Sequence, residues 1–198
     1  MIDANYMSDA RLELGAGGGL VGLAVAIGCS LSSELIISDQ ENLKELMDIN
    51  INLNNLQSNV KSLVLNWYDS LPYIPSLSCL HTSRSLFHSD TLFLIFMTRG
   101  EPLPSEITQQ KPNIILAADC VYFEPAFPLL LTTLEDLLAL NSEAVIFFCF
   151  KKRRRADMQF MKSARKKFLV EEIEDVEREK FSREALFLYT FKKKWNMF

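Results

Sequence analysis

The sequence predicts an α/β protein with a doubly wound, mostly parallel sheet. Short apolar runs alternate with helical patterns along most of the chain, as is typical of parallel sheets covered by helices. Glycines separate the first apolar run from the first helical pattern. The last two apolar runs have no good helical pattern between them, which predicts a C-terminal antiparallel hairpin.

Seven apolar runs are expected to be strands, and four segments between them are expected to be helices. The predicted strands are Leu12 to Leu14, Leu35 to Ser38, Val60 to Leu65, Ile114 to Ala118, Ala144 to Phe150, Leu169 to Val176 and Ala185 to Phe191. The predicted helices are Leu20 to Ile27, Gln40 to Asn55, Phe127 to Leu140 and Ala156 to Phe168. This succession predicts one domain over residues 1–198, built as a Rossmann-like, three-layer αβα sandwich with a seven-strand sheet.

Composition narrows the class of protein. The chain has 198 residues, of which 48% are apolar and 23% are charged, so it can bury a core. A net charge of −4 argues against a nucleic-acid binder that works by bulk charge. The four cysteines form no C-x-x-C pair, which suggests neither a metal site nor a disulfide framework. This favours a reducing setting, the cytosol or the nucleus, and the cytoplasm is the expected compartment. No apolar run is long enough to span a bilayer.

The stretch from Arg11 to Gly22, R-L-E-L-G-A-G-G-G-L-V-G, predicts a cofactor loop. A strand that turns into a helix through glycines exposes the first backbone N–H groups of the helix to a ligand. Gly17, Gly19 and Gly22 also fit the G-x-G-x-x-G pattern of dinucleotide-binding folds. A glycine-rich turn without a ligand is the alternative interpretation.

Two carboxylates accompany the glycines. Glu13 precedes Gly15 by two residues, so it is expected beside the loop. Asp39 ends the second apolar run, about 20 residues after the glycines, which suits an acid that binds ribose hydroxyls. This spacing fits a nicotinamide cofactor and S-adenosylmethionine equally well.

A further acid follows the fourth predicted strand. Ligands of open α/β sheets bind outside the carboxyl ends of the strands, so Gly15, Asp39, Trp67 and Asp119 are expected along one edge. Two alternatives stay open. Asp119 can cap a helix that starts near Glu124, and Trp67 can be a core aromatic residue.

These motifs together resemble the seven-strand S-adenosylmethionine-dependent methyltransferases. E-L-G-A-G-G-G-L-V-G-L-A, S-D-Q, L-N-W and A-A-D-C-V-Y-F-E-P-A-F-P-L-L-L are similar to the family 16 protein-lysine methyltransferases. F-F-C-F-K-K-R-R-R-A-D-M-Q-F is similar to the fungal branch that modifies translation elongation factor 1-alpha. The resemblance implies a monomeric enzyme that uses S-adenosylmethionine and methylates a lysine of a protein, with elongation factor 1-alpha as the expected substrate.

The resemblance also implies roles for residues at the sheet edge. The cofactor-binding set is Glu13, Gly15, Ala16, Gly17, Asp39, Trp67 and Ala118, and no residue is assigned to a metal. Asp119 and Tyr122 are expected to face the substrate lysine. Lysine has a pKa of about 10.4 and must lose its proton before it attacks a methyl group. A lone carboxylate would orient the ammonium but would also favour this charged form.

Two departures from the family pattern qualify this function. The glycine loop starts by residue 15, so the strand pair and helix that family members carry ahead of it have no room, and a shortened, catalytically impaired binding protein is an alternative. Tyr68 to Arg99 interrupts a segment that the family reads as one turn. Joining Trp67 directly to Gly100 would give L-N-W-G-E-P-L-P, which matches the family pattern. The codons for Trp67 and Arg99 can supply the two boundaries of an intron. We therefore interpret this unpatterned insert as a translated intron.

Lys151 to Arg155 is a run of consecutive basic residues. The favoured interpretation is a solvated junction between a strand and a helix, because charge runs are usually exposed. A docking patch for an acidic partner and a nuclear import signal are the alternatives. A nicotinamide-dependent oxidoreductase is the less favoured rival enzyme, because no Tyr-Lys or His set accompanies the loop.

Overall fold

The computed structural model describes residues 10–67 and 102–194. Seven strands form one sheet in the order β3-β2-β1-β4-β5-β7-β6. The strands are β1 (Arg11–Leu14), β2 (Leu35–Asp39), β3 (Val60–Val64), β4 (Ile114–Ala118), β5 (Val145–Lys151), β6 (Phe168–Glu172) and β7 (Leu186–Lys193). All pairings among β1 to β5 are parallel, and β7 is antiparallel to both β5 and β6. The predicted sheet and its C-terminal hairpin are therefore confirmed.

Six helices connect the described strands. They are α1 (Leu20–Gly28), α2 (Glu41–Leu53), α3 (Ser105–Gln110), α4 (Phe127–Leu140), α5 (Arg155–Lys167) and α6 (Arg178–Arg183), and a single 3₁₀ turn, Glu124–Ala126, precedes α4. The predicted helices match α1, α2, α4 and α5. The short helices α3 and α6 were not predicted, and α6 occupies the connection between β6 and β7 where no good helix was expected.

Two apolar cores lie on opposite faces of the sheet, because side chains alternate along each strand. Leu12, Leu14 and Ile36 belong to the core that α3, α4 and α5 complete, whereas Leu35 and Ile37 belong to the core under α1 and α2. The larger core contains stacked aromatic rings, with the Phe148 and Phe191 centroids 4.7 Å apart. The three-layer αβα arrangement is thus observed.

The interrupting segment, Tyr68 to Arg99, lies outside the described residues, so its interpretation as a translated intron stays a prediction. In the part of the chain that the structure describes, no helix is long and apolar enough to cross a membrane.

Candidate active site

The strand order reverses between β1 and β4, which are direct neighbours at the centre of the sheet. Connections leave these two strands toward opposite halves of the sheet, so a crevice opens outside their carboxyl ends, where ligands of such folds bind. The glycine loop follows β1, and Asp119 follows β4. The topology therefore places the predicted cofactor loop and the predicted substrate-facing residue Asp119 at the same crevice.

The glycine loop presents backbone to open space at one position. Gly17 has φ +57°, and a Cβ atom added there would meet no heavy atom within 4 Å. Gly15 also has a positive φ, but its added Cβ atom would lie 2.8 Å from Sγ of Cys120 and 3.8 Å from Nε1 of Trp67. Gly17 thus leaves room for a ligand to approach the main chain, whereas Gly15 allows close packing beneath the loop.

Asp39 links the loop to the end of β2. Its Oδ2 accepts a hydrogen bond from the Gly17 N–H at 2.7 Å, and its Oδ1 accepts one from the Gln40 N–H at 2.7 Å. The residue is only 9% exposed. A carboxylate oxygen has two lone pairs, so each oxygen can accept one further hydrogen bond from a hydroxyl group. This donor and acceptor chemistry fits the ribose of S-adenosylmethionine.

The Glu13 side chain contacts the first turn of α1. Its side chain is buried, and Oε2 accepts a hydrogen bond from the Gly22 N–H at 2.8 Å, in the first turn of α1. Burial raises the pKa of Glu13 to about 7; the Gly22 N–H opposes this shift, and the Asp39 carboxylate adds to it. A Cβ atom on Gly22 would lie 2.5 Å from this oxygen. The described contacts of Glu13 are therefore with the helix behind the loop.

The remaining residues of the predicted cofactor set lie around the same loop. Trp67 is buried in the larger core beneath Gly15, so the core interpretation and a place beside the loop both hold. Ala16 is buried in the other core, and its N–H donates to the Ser38 carbonyl oxygen at 3.0 Å. Ala118 ends β4 and pairs with Cys149 of β5.

Asp119 forms a two-pronged ion pair with Arg153. Arg153 donates from Nη1 to Oδ1 at 2.6 Å and from Nη2 to Oδ2 at 2.8 Å. The Asp119 N–H donates to the Cys149 carbonyl oxygen at 2.8 Å, and its φ of +57° is unusual for a residue other than glycine. No side-chain hydrogen bond caps the turn at Glu124, so Asp119 is not its cap. Instead, Asp119 connects the ends of β4 and β5.

Tyr122 lies at the surface of the same loop, with 54% of its area exposed. Its carbonyl oxygen accepts a hydrogen bond from Nη2 of Arg154 at 2.7 Å. Arg154 also pairs with Asp157, whose Oδ2 accepts the N–H groups of Arg153 and Arg154. Burial alone would raise the pKa of Asp157, but these N–H donors and the Arg154 guanidinium lower it below its ordinary value.

The basic run therefore differs from the prediction at two of its positions. All five residues are exposed to some degree, as expected for a solvated junction. Arg153 and Arg154 nevertheless bind the loop that carries Asp119 and Tyr122. Sequence reasoning missed them because a charge run was read as solvent-facing. The signal was available, since the run directly follows β5 and so starts at the same sheet edge.

No group of His, Cys, Asp or Glu within residues 10–67 and 102–194 is arranged to hold a metal ion. The described cysteines Cys29, Cys120 and Cys149 are free thiols. Cys120 lies at the centre of the edge, where its Sγ donates to the Leu14 carbonyl oxygen at 3.3 Å. It fills the space beneath Gly15 and was not among the predicted site residues.

The strand order and the crevice define an α/β protein with the methyltransferase fold. Solved structures with this fold align with most of the chain at low sequence identity. An O-methyltransferase family protein of Burkholderia thailandensis aligns with a TM-score of 0.56 and 9% identity, over 95% of this chain and 52% of that one. TrmN of Thermus thermophilus aligns with a TM-score of 0.55 and 14% identity, over 94% of this chain and 44% of that one. At these identities, the likeness concerns the fold alone.

The chain belongs to the lysine methyltransferase family known as methyltransferase family 16, whose model matches residues 3–81 and 87–167. Protein-lysine N-methyltransferase EFM6 of Saccharomyces cerevisiae is 32% identical over 190 residues, which cover 90% of this chain and 64% of that protein. A Danio rerio protein N-lysine methyltransferase is 28% identical over 82% of this chain and 58% of its own length. The chain thus spans less than two thirds of these relatives. The predicted family is confirmed, and it implies S-adenosylmethionine as the cofactor.

Proposed function

We propose that this protein transfers a methyl group from S-adenosylmethionine to the side-chain amine of a lysine in a protein. The observation that carries the proposal is the convergence at one crevice of the Asp39–Gly17 pair and the Asp119–Arg153 pair. In the first pair, the Asp39 carboxylate can accept hydrogen bonds from ribose hydroxyls, and the Gly17 main chain beside it faces open space. In the second pair, the Asp119 carboxylate lies at the end of β4, the strand next to β1. Family membership favours this chemistry over that of a nicotinamide-dependent oxidoreductase.

In this proposal the cofactor lies along the glycine loop. Asp39 accepts hydrogen bonds from the ribose hydroxyls, Gly15, Ala16 and Gly17 border the methionine part, and Ala118 contacts the cofactor through its backbone. Trp67 supports the pocket from the core side, and Glu13 holds the start of α1 against the loop through Gly22. Bound S-adenosylmethionine would supply a methyl carbon on a positively charged sulfur, which is a good leaving group.

The protein's own task is to hold a neutral amine in line with that carbon and to keep water away. Asp119 and Tyr122 lie on one short loop after β4 and are the proposed contacts of the target lysine. Asp119 orients the amine by accepting one of its N–H groups. Tyr122 is exposed, so it is accessible to the target lysine beside the methyl group.

We propose elongation factor 1-alpha as the protein substrate and the cytoplasm as the compartment. Support comes from the resemblance of Phe147 to Phe160 to the fungal branch that modifies this factor. The Asp119 loop and the exposed basic residues after β5 would face the protein that presents the lysine. Their positive charges favour an acidic surface on that protein over a basic one.

The test is a transfer assay with purified elongation factor 1-alpha and labelled S-adenosylmethionine. Intact-protein mass spectrometry should show additions of one methyl mass, and peptide mapping should place them on lysine. D119A should reduce the rate at least 10-fold while S-adenosylhomocysteine still binds. Glu143→Gln, an exposed change remote from the crevice, is the matched control and should leave the rate unchanged.

The binding-only alternative makes a different prediction in the same assay. A catalytically impaired protein would bind elongation factor 1-alpha, and even S-adenosylmethionine, without adding a methyl group. Binding without transfer by the wild-type chain would therefore contradict our proposal and support this alternative. Methylation of a small molecule or nucleic acid but of no protein would contradict the proposed substrate class.

A further inference from the structure

The chemistry of lysine methylation poses a problem that Asp119 alone does not solve. The amine must be neutral when it attacks, yet an isolated carboxylate stabilises the ammonium and so raises the pKa of the lysine. A lysine that starts near pKa 10.4 would then be charged almost entirely at neutral pH. A device that keeps Asp119 near the amine without its full negative charge would remove this conflict.

Arg153 has the geometry of such a device. Its two guanidinium nitrogens bind the two carboxylate oxygens of Asp119 at 2.6 and 2.8 Å, in the parallel arrangement that suits a guanidinium and a carboxylate. Both partners are exposed, with 45% of the Arg153 side chain and 55% of the Asp119 side chain accessible, so an incoming amine can reach the carboxylate. Each carboxylate oxygen still has a lone pair for another donor. Asp119 can thus accept an amine N–H while its charge is balanced.

The backbone on both sides holds this pair in place. The Asp119 N–H donates to the Cys149 carbonyl oxygen, and the N–H of Arg153 donates to the buried carboxylate of Asp157. Arg154 binds the Tyr122 carbonyl oxygen from the same turn. The loop after β4 is therefore bonded to β5 itself through Cys149 and to the turn after β5 through Arg153 and Arg154, so Arg153 is not a freely rotating surface side chain.

Few other charges reach the pair. Asp157 faces Arg153 but is itself paired with Arg154. Burial raises the pKa of the Cys120 and Cys149 thiols, and nearby carboxylates, including that of Asp119, add to this shift, so both thiols are neutral at neutral pH. The carboxylates of Asp39 and Glu13 lie near Cys120, where their charges also raise the pKa of its thiol. Among the described residues, Arg153 is the cation that balances Asp119.

We propose that Arg153 is a positioning residue that neutralises Asp119, so that the site orients the target lysine as a neutral amine instead of trapping it as an ammonium. This inference rests on the proposed function, because it assigns the lysine to this crevice. Removal of the guanidinium leaves an unbalanced carboxylate, which binds the ammonium more tightly and delays loss of its proton. Arg153→Gln is therefore expected to improve amine binding while slowing catalysis.

The first experiment measures binding without catalysis. The probes are n-butylamine, which is a charged lysine side-chain analogue at pH 7, and n-butanol, its neutral counterpart. NMR titrations in the presence of S-adenosylhomocysteine compare wild type with R153Q. We expect R153Q to bind n-butylamine about 10-fold more tightly, as one additional unit charge within a few ångströms implies, and to bind n-butanol unchanged. Equal amine affinity in both proteins, or no binding to either, would overturn the inference.

The second experiment measures the pH dependence of methyl transfer. In R153Q the acidic limb of the kcat profile should move about one pH unit upward, which corresponds to the same 10-fold change, while KM falls. R153K restores the charge without the two-pronged geometry, so its profile should return toward that of wild type. K162Q removes an exposed charge about two turns into α5, away from the basic run, and it should not shift the profile. An unshifted profile in R153Q contradicts the inference.

The two experiments separate this inference from the proposed function. If wild type transfers no methyl group but R153Q binds n-butylamine about 10-fold more tightly than wild type does, the proposed function fails while the charge balance between Arg153 and Asp119 stands. If wild type methylates lysine and R153Q shows neither tighter binding nor a shifted profile, the function stands and this role fails. A thermal melt of R153Q within a few degrees of wild type would show that the variant is folded.

Discussion

The backbone N–H of Gly17 donates a 2.7 Å hydrogen bond to Oδ2 of Asp39. Gly17 lies in the glycine loop after β1, and Asp39 is the last residue of β2, the strand that pairs with β1. This bond holds the glycine loop against the end of β2. The other carboxylate oxygen of Asp39 accepts a hydrogen bond from the N–H of Gln40, the residue before α2. One carboxylate thus shapes the loop and also offers its free lone pairs to a ribose.

Replacement of Asp39 by alanine should weaken both the loop and the cofactor site. Hydrogen bonds to charged groups contribute about 1.5–3 kcal/mol each, so D39A, which removes two of them, is expected to lower the free energy of unfolding by at least about 3 kcal/mol. It should also weaken S-adenosylhomocysteine binding more than 10-fold. Chemical denaturation and calorimetric titration measure the two effects. An affinity within twofold of wild type would show that Asp39 does not bind the cofactor.

Two alanine substitutions separate the ligand-facing glycine from the packing glycine. Gly17→Ala adds a Cβ atom in open space at a positive φ, so it should cost about 1–2 kcal/mol of stability and still reduce cofactor affinity strongly. Gly22→Ala places a Cβ atom 2.5 Å from both Glu13 and Ile37, so the dominant effect should be about 3 kcal/mol of lost stability. Equal effects of the two variants on affinity and stability would contradict this division.

The raised pKa of Glu13 predicts a dependence of stability on pH. Glu13 titrates at about 7 in the fold, against 4.5 for an ordinary glutamate. A group with a raised pKa contributes its stability below its unfolded pKa and loses it as pH rises through the folded pKa. Relative to E13Q, wild type should therefore lose about 3 kcal/mol between pH 4.5 and 8.

E13Q is a suitable comparison because glutamine retains an oxygen that can accept the Gly22 N–H. Urea denaturation of both proteins across this pH range measures the difference. Glu143→Gln, at an exposed glutamate, is the control and should show no such divergence. A difference in unfolding free energy between E13Q and wild type that stays constant from pH 4.5 to 8 would contradict the prediction.

The buried carboxylate of Asp157 should be a main support of the turn after β5. It accepts the N–H groups of Arg153 and Arg154 and pairs with the Arg154 guanidinium, and its side chain has no exposed area. D157A leaves these donors without a partner, so we expect a loss of about 3 kcal/mol in unfolding free energy.

The pKa of Asp157 is lowered in the fold, so its stabilising effect is present at neutral pH and is lost as pH falls through the folded pKa. The difference in unfolding free energy between wild type and D157A should therefore shrink at strongly acidic pH. A difference that is small at pH 7, or that grows on acidification, would contradict the assigned contacts.

Sequence patterns predicted the strands, and they placed several candidate site residues at one edge of the sheet, for identifiable reasons. Runs such as Ile114 to Ala118 are buried on both faces and so are apolar throughout, which makes them easy to find. The rule that ligands bind at the carboxyl ends of parallel strands then brought Gly15, Asp39 and Asp119 together. The helices α3 and α6 have only 6 residues each, too few for an apolar period to emerge.

The details that sequence patterns left open depend on which way a side chain points. Glu13 precedes Gly15 by two residues in the sequence, but only its coordinates show that it accepts the Gly22 N–H in the first turn of α1. Arg153 belongs to a charge run that periodicity assigns to solvent, and its pairing with Asp119 spans 34 positions of the chain. Sequence alone fixes neither contact, because each depends on how separate strands align in the sheet.

The central claim is that this chain binds S-adenosylmethionine at the glycine loop through Asp39. The most direct test is a calorimetric titration of the folded 198-residue chain with S-adenosylhomocysteine, with D39A titrated in parallel. We predict micromolar binding, about −8 kcal/mol, with one site per chain and a loss of at least 10-fold in D39A. A folded wild-type chain that gives no binding heat at several temperatures, or a D39A variant that binds as tightly as wild type, would contradict the account.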